Sequence, residues 1–193
     1  MFNEQTNSSE QIHAGVAAAT GASESAKGGG VFRVECRDAQ GQVKWSAEKH
    51  NLVVNGGLQD MLSKYFTGSA YTAAWYVGVY GAGASNDPAA SDTMASHAGW
   101  TEVVAYSQAA RPSAVFSTAT TANPSVITNS SAPATFSING TTVIGGAFVT
   151  SASTKGGTAG VLFSAADFAS PGDRSVVSGD TLTVTYTYSQ TAT

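Results

Sequence analysis

The chain has a single cysteine, Cys36, in 193 residues, which excludes an intrachain disulfide framework. Charge is scarce as well. Lys and Arg number 9 and Asp and Glu 13, so 11% of residues are charged, against roughly 25% in ordinary soluble domains. The formal net charge of -4 offers no basic surplus to displace counterions from phosphates, so no nucleic-acid partner is expected. No apolar run approaches the ~20 residues that cross a bilayer, and no membrane partner is expected. An acidic disordered chain is excluded by content: 42% of residues are hydrophobic and 9% aromatic.

Ala, Gly, Ser and Thr make up about half of the sequence. A free cytosolic monomer usually keeps its surface repulsive with Lys and Glu. Here hydroxyl and backbone groups must do that work, which suits a protein packed into an assembly or, alternatively, a secreted β-domain. The Ala14–Ala19 patch does not read as a cleaved secretory signal, because residues 1–12 carry Glu4 and Glu10 and no Lys or Arg. Asn-x-Ser/Thr triplets start at Asn7, Asn129 and Asn139; in so Ser/Thr-rich a chain they carry no weight on location.

Residues 1–30 read as a flexible N-terminal arm and 31–193 as a single domain. The arm shows no sustained period of 2 or 3.6 and ends in Gly28-Gly29-Gly30, a loose joint. Its sizeable apolar groups are Phe2, Ile12 and Val16, the candidate partner-binding residues, expected to dock across a neighbouring subunit. A tail without a role, or a short Ala-rich helix over 11–19, is the alternative.

The body opens with a hairpin. Over 31–37, Val31, Arg33, Glu35 and Arg37 share one face and Phe32, Val34 and Cys36 the other; 38–42 form the turn and 43–47 return. A short extended piece follows near His50–Val54. Asn55 then caps a helix whose Leu58, Met61, Leu62, Tyr65 and Phe66 form one apolar stripe. Asp60 and Lys64 pair at i,i+4, and Gly68 ends the helix. The stripe is expected to lie on a sheet. Further strands are read at 74–80, 100–106, 115–118, 125–129, 134–138, 143–150, 160–164 and 181–188, with a helical turn near Thr93–Ala95. In the last strand Leu182, Val184, Tyr186 and Tyr188 oppose Thr183, Thr185 and Thr187. About ten strands and one helix predict an all-β fold, a jelly-roll or Ig-like β-sandwich.

Groups able to do chemistry are few, and no enzyme is expected. Asp92, Ser96 and His97 share one loop, whereas a triad draws its members from separate elements. Asp167, Asp173 and Asp180 have no diagnostic metal spacing and read as turn residues. Gly81-Ala82-Gly83 is too short for a dinucleotide fingerprint. Cys36, in a strand, reads as a buried thiol. Trp75, Tyr76, Tyr80, Trp100 and Tyr106 could form a sugar platform but fit core positions better. Arg111 could pair with Glu102 or with a carboxylate of a partner, and reads more simply as a surface arginine. No catalytic residue, metal ligand or cofactor is assigned.

The order of segments is nonetheless distinctive. It runs from 51–58 (NLVVNGGL) through 75–79 (WYVGV), 92–102 (DTMASHAGWTE) and 106–112, to 175–182 (SVVSGDTL). This succession resembles small structural proteins of tailed bacteriophages, decoration (cement) or tail-associated, over residues 31–188. The resemblance implies a non-enzymatic virion component with a β-sandwich body. Among such roles the expectation is a capsid decoration protein. It would be assembled in the bacterial host cytoplasm, sit on the capsid surface, and bind the major capsid protein and copies of itself as a dimer or trimer. The alternative is a tail or tail-fibre module for receptor binding or tail assembly. A carbohydrate-binding or hydrolytic host-surface domain is a third.

Overall fold

The computed structural model describes residues 26–70, 74–81, 87–168 and 173–192. Phe2, Ile12 and Val16 lie outside the described residues. The architecture is an all-β sandwich with one helix, as the alternation patterns predict.

The first sheet is built on the two longest strands, β1 (Ala26–Arg37) and β11 (Thr181–Ala192), which pair antiparallel over their full length. β2 (Val43–His50) flanks β1. The outer edge of β11 is shared by β6 (Ala134–Ser137), along 181–184, and β5 (Ser125–Thr128), along 187–190. The β1–β2 turn forms as its residues require. Asp38 Oδ1 accepts from the amides of Gln40 and Gln42, and Gly41 takes a left-handed φ of 80°. The glycine triplet is not a joint: Gly28, Gly29 and Gly30 belong to β1, opposite Gln190, Ser189 and Tyr188. Gly28 and Gly30 leave room for rings: a Cβ at Gly30 would fall 2.6 Å from the Tyr186 hydroxyl, and one at Gly28 2.3 Å from that of Tyr188.

The second sheet runs β3 (Leu52–Val53), β9 (Leu162–Asp167), β8 (Gly146–Thr150), β4 (Tyr76–Tyr80). A two-stranded ribbon joins β7 (Thr142–Ile144) to β10 (Arg174–Val176). The helix α1 (Asn55–Phe66) follows β3 and packs on β9. Asn55 is its first helical residue, and the cap position is Val54, without a side-chain cap bond. Gly68, at φ 68°, lies just past its end.

Alternation explains the core. Phe32, Val34, Cys36, Leu182, Val184 and Tyr186 point inward from the first sheet toward Val77, Val79, Ala147, Val149 and Ala166 of the second. The intervening residues of the second sheet are buried too. Tyr80, Phe148 and Ala165 meet Met94 and Trp100 on its other face, so β4 and β8 read as continuous apolar runs. Gly78 lets the Phe148 ring lie where a Cβ would sit, and Gly146 does the same for Tyr80.

Two expected strands are absent. The backbone of residues 100–106 pairs with β4 only at the Tyr80–Glu102 bridge, and 115–118 stay irregular after the Tyr76–Ser113 bridge. Between those bridges the chain leaves the sheet edge, with Tyr106 and Arg111 turned inward. The Thr93–Ala95 stretch is a tight turn closed by a Thr93–Ser96 bridge rather than a helical one.

Candidate interaction surface

The helix is mounted with its apolar stripe outward, against the expectation from its periodicity. Leu62, Tyr65 and Phe66 are 56%, 82% and 74% exposed, and Leu58 is exposed beside them. The face turned to the protein is Gly57, Asp60, Met61 and Lys64, spaced i, i+3, i+4 and i+7. Gly57 is the cause. A Cβ there would fall 2.3 Å from the Phe163 carbonyl oxygen, so only glycine lets the helix press onto β9 at that point. Neighbouring residues on a helix differ by about 100° in direction. Seating position 57 against the sheet therefore turns the row through Leu58, Leu62 and Tyr65 away from it. Met61 alone of the stripe reaches the core, where its sulfur accepts from the Tyr188 hydroxyl at 3.7 Å and from Gln190 Nε2 at 3.4 Å.

Behind the helix lies a groove of about 760 Å³ at the end of the sandwich where β1 begins. Its walls are largely aromatic. Trp75 meets Phe163 edge-on at 5.5 Å, Phe163 meets Tyr188 at 5.5 Å, and Phe116 meets Tyr186 at 6.1 Å. Burial raises the Tyr186 phenol above its ordinary range, even though Asn51 Nδ2 and Ser164 Oγ both donate to its oxygen. Asp60 and Lys64, 3.4 Å apart, stand at the helical rim with Tyr65. Val115, 55% exposed, lies on the opposite wall. Rigid rings and little charge make this a place for apolar side chains.

The residues weighed for chemistry are held elsewhere. Asp92 accepts from Trp100 Nε1 at 3.0 Å, while His97 stacks on the Trp100 ring at 3.9 Å and meets its carbonyl oxygen through Nδ1 at 2.8 Å. Ser96 bonds through its backbone to Thr93. Both side chains thus serve to seat Trp100 in the second core. Asp180 sits apart from the other aspartates, against Lys44 Nζ, the Cys36 thiol and the Val177 amide. Burial works to raise its carboxyl, but Lys44 and the Val177 N–H prevail and hold it below the usual carboxylate range. Cys36 is fully buried, and burial followed by Asp180 pushes its thiol up to about 11. Asp167 lies near Asp87 and Asp173; burial and then Asp87 push it up to about 6. Among the described residues no group of three or more His, Cys, Asp or Glu is placed to hold a metal ion. Of the aromatic set, Tyr80, Trp100 and Tyr106 are buried, and Trp75 lines the groove.

Arg111 is not a surface residue. It is 2% exposed and clasps Glu102 through two bonds, Nε–Oε1 at 2.8 Å and Nη2–Oε2 at 2.7 Å. It also donates to the carbonyls of Ala152 and Gly157, at 2.8 Å each. Lys155 donates to the carbonyls of Tyr106 and Gln108, so the 151–160 loop is latched to the 102–111 segment from both sides.

Asn129, which the sequence marks only as the start of an Asn-x-Ser/Thr triplet, is wholly buried and mends the first sheet. At the gap between β5 and β6 its Oδ1 accepts from the Tyr186 amide at 2.7 Å and its Nδ2 donates to the Val184 carbonyl at 3.3 Å. The break between two short strands along one long partner was the only trace of that role in the sequence.

Among the described residues no helix is long and apolar enough to cross a membrane. Searches for similar proteins return no matching family model, no matching curated protein and no matching solved structure.

Proposed function

We propose that this chain is a structural protein of a tailed-bacteriophage virion, a decoration protein that binds the outer capsid shell and reinforces contacts between major capsid subunits. The observation that carries the reading is the outward apolar stripe of α1. A monomer rarely leaves Leu58, Leu62, Tyr65 and Phe66 side by side in water, and a contiguous apolar face of this kind marks a protein contact. The weakly charged, hydroxyl-rich composition and the succession of segments from 51–58 to 175–182 support the same reading. Reinforcement requires buried interface area rather than chemistry, so the protein acts without catalysis, cofactor, nucleic acid or membrane. The stripe meets the capsid subunit or a second copy of this chain in a dimer or trimer.

Stoichiometry in purified virions tests this. Copies on the scale of the major capsid protein are expected. A few copies per particle would instead make the protein a tail or tail-fibre module, and absence from particles would sink the proposal. A Leu62→Glu/Phe66→Ser variant should fold unchanged and occupy fewer shell sites.

A further inference from the structure

We infer that the groove behind α1 is the seat of the chain's own N-terminal segment, with Ile12 and Val16 as the side chains that fill it. β1 enters the first sheet at Ala26, and a Cβ on Gly28 would fall 2.3 Å from the Tyr188 hydroxyl, a group that itself touches Met61. Tyr188 and Met61 both line the groove. The preceding 25 residues are therefore tethered at its mouth.

Reach is ample. Val16 stands ten residues before Ala26. Ten residues span at most about 33–36 Å, so even a segment that doubles back covers roughly half of that. Between Val16 and Ala26 the sequence offers Gly21 and Ser23, residue types that favour chain reversal. Composition fits as well. The stretch 11–19 (QIHAGVAAA) carries no acidic or basic side chain other than His13, and places Ile12 and Val16 four apart among alanines and a glycine, narrow enough for a groove walled by Trp75, Phe116, Phe163 and Tyr188. Tethering at the mouth gives this segment a high effective concentration that a free partner lacks. The same chain is thus the occupant, rather than the neighbouring subunit that the sequence suggests. The inference does not depend on a virion role.

Cross-linking of the full chain tests it. Cys36 is fully buried, so new cysteines report cleanly. A Val16→Cys/Val115→Cys protein, oxidised in dilute solution, is expected to form an intrachain disulfide at a rate unchanged by dilution. Adding Ile12→Asp should slow that reaction by about tenfold or more, the effect of losing one buried aliphatic anchor. A Val16→Cys/Val43→Cys protein, with its second thiol at the far end of β1, should stay reduced. Disulfides between chains only, no disulfide, equal linkage to Val43→Cys, or indifference to Ile12→Asp would each overturn the inference. Particle occupancy plays no part in these readouts, so this inference and the virion proposal fail separately.

Discussion

The Arg111 guanidinium lies fully buried against the Glu102 carboxylate, nine residues back in the chain, and donates two further bonds to the carbonyls of Ala152 and Gly157. A charge pair out of water is held by completeness of bonding more than by attraction. Here both partners are densely bonded: Glu102 Oε2 also accepts from the Gly156 amide, and the Arg111 guanidinium sits 5.4 Å over the Phe148 ring. Arg111→Ala should cost about 3–5 kcal/mol in urea unfolding, because it strands the carboxylate. An apolar double replacement, Arg111→Met/Glu102→Leu, should recover much of that loss. A cost below about 1 kcal/mol for Arg111→Ala would show that the pair is open to water.

Two adjacent glycines should respond in opposite directions. Gly56→Ala adds a methyl group whose nearest neighbour is 3.8 Å away, and better helix propensity should stabilise the protein by about 0.5–1 kcal/mol. Gly57→Ala drives the same group into the backbone of Phe163 and should destabilise by about 1–3 kcal/mol. Thermal unfolding of the two variants decides this. Equal effects would mean that the helix does not rest on β9 at Gly57.

Asn129→Ala should cost at least about 2 kcal/mol, because the Tyr186 amide and the Val184 carbonyl lose their side-chain partner in the interior. Asn129→Asp keeps an acceptor, loses the donor and buries a charge, so it should not rescue. Amide exchange at Tyr186 is the local readout, expected to accelerate in Asn129→Ala, which removes the acceptor of that N–H.

The Asp167 carboxyl titrates near 6 in the folded protein, above its ordinary 3.8, because burial and the facing Asp87 disfavour its charge; Asp173 adds to this and Lys49 opposes it. Between those two pH values the folded state keeps a proton that the unfolded chain has released, so stability falls as pH rises through this window. The loss is complete above about pH 6 and at most about 3 kcal/mol. Asp167→Asn should flatten that fall and leave the variant more stable than the parent at neutral pH. Asp180, held low by Lys44, has the opposite sign. Its contribution is present above about pH 4 and disappears on acidification. Melting temperatures of the parent, Asp167→Asn and Asp180→Asn across pH separate the two terms. A parallel pH profile for Asp167→Asn would show that Asp167 is solvated.

Features carried by short-range pattern were legible in the amino-acid order. The β1–β2 hairpin follows from alternation about an Asp/Gly turn, and the two-faced β11 from Leu182 through Tyr188. The extent of α1 and its Asp60–Lys64 pair follow from helical spacing. These depend on neighbours within a few residues, which is where backbone geometry and side-chain period act. The buried thiol of Cys36 follows from its place on the inward face of β1.

What distant contacts settle was not legible. Periodicity says that a helix has an apolar face but not which face meets the sheet; the close approach of Gly57 to Phe163, more than one hundred residues away, chose the opposite one. Arg111 looks like a surface residue until a loop 41 residues on closes over it. Asn129 becomes structural only because β5 and β6 leave a gap along β11. Local order set the strands, the turn and the helix, since each needs only its own residues. Packing set the exposed stripe and the groove beneath it, since steric exclusion and hydrogen-bond completion operate between segments that meet only in the folded chain.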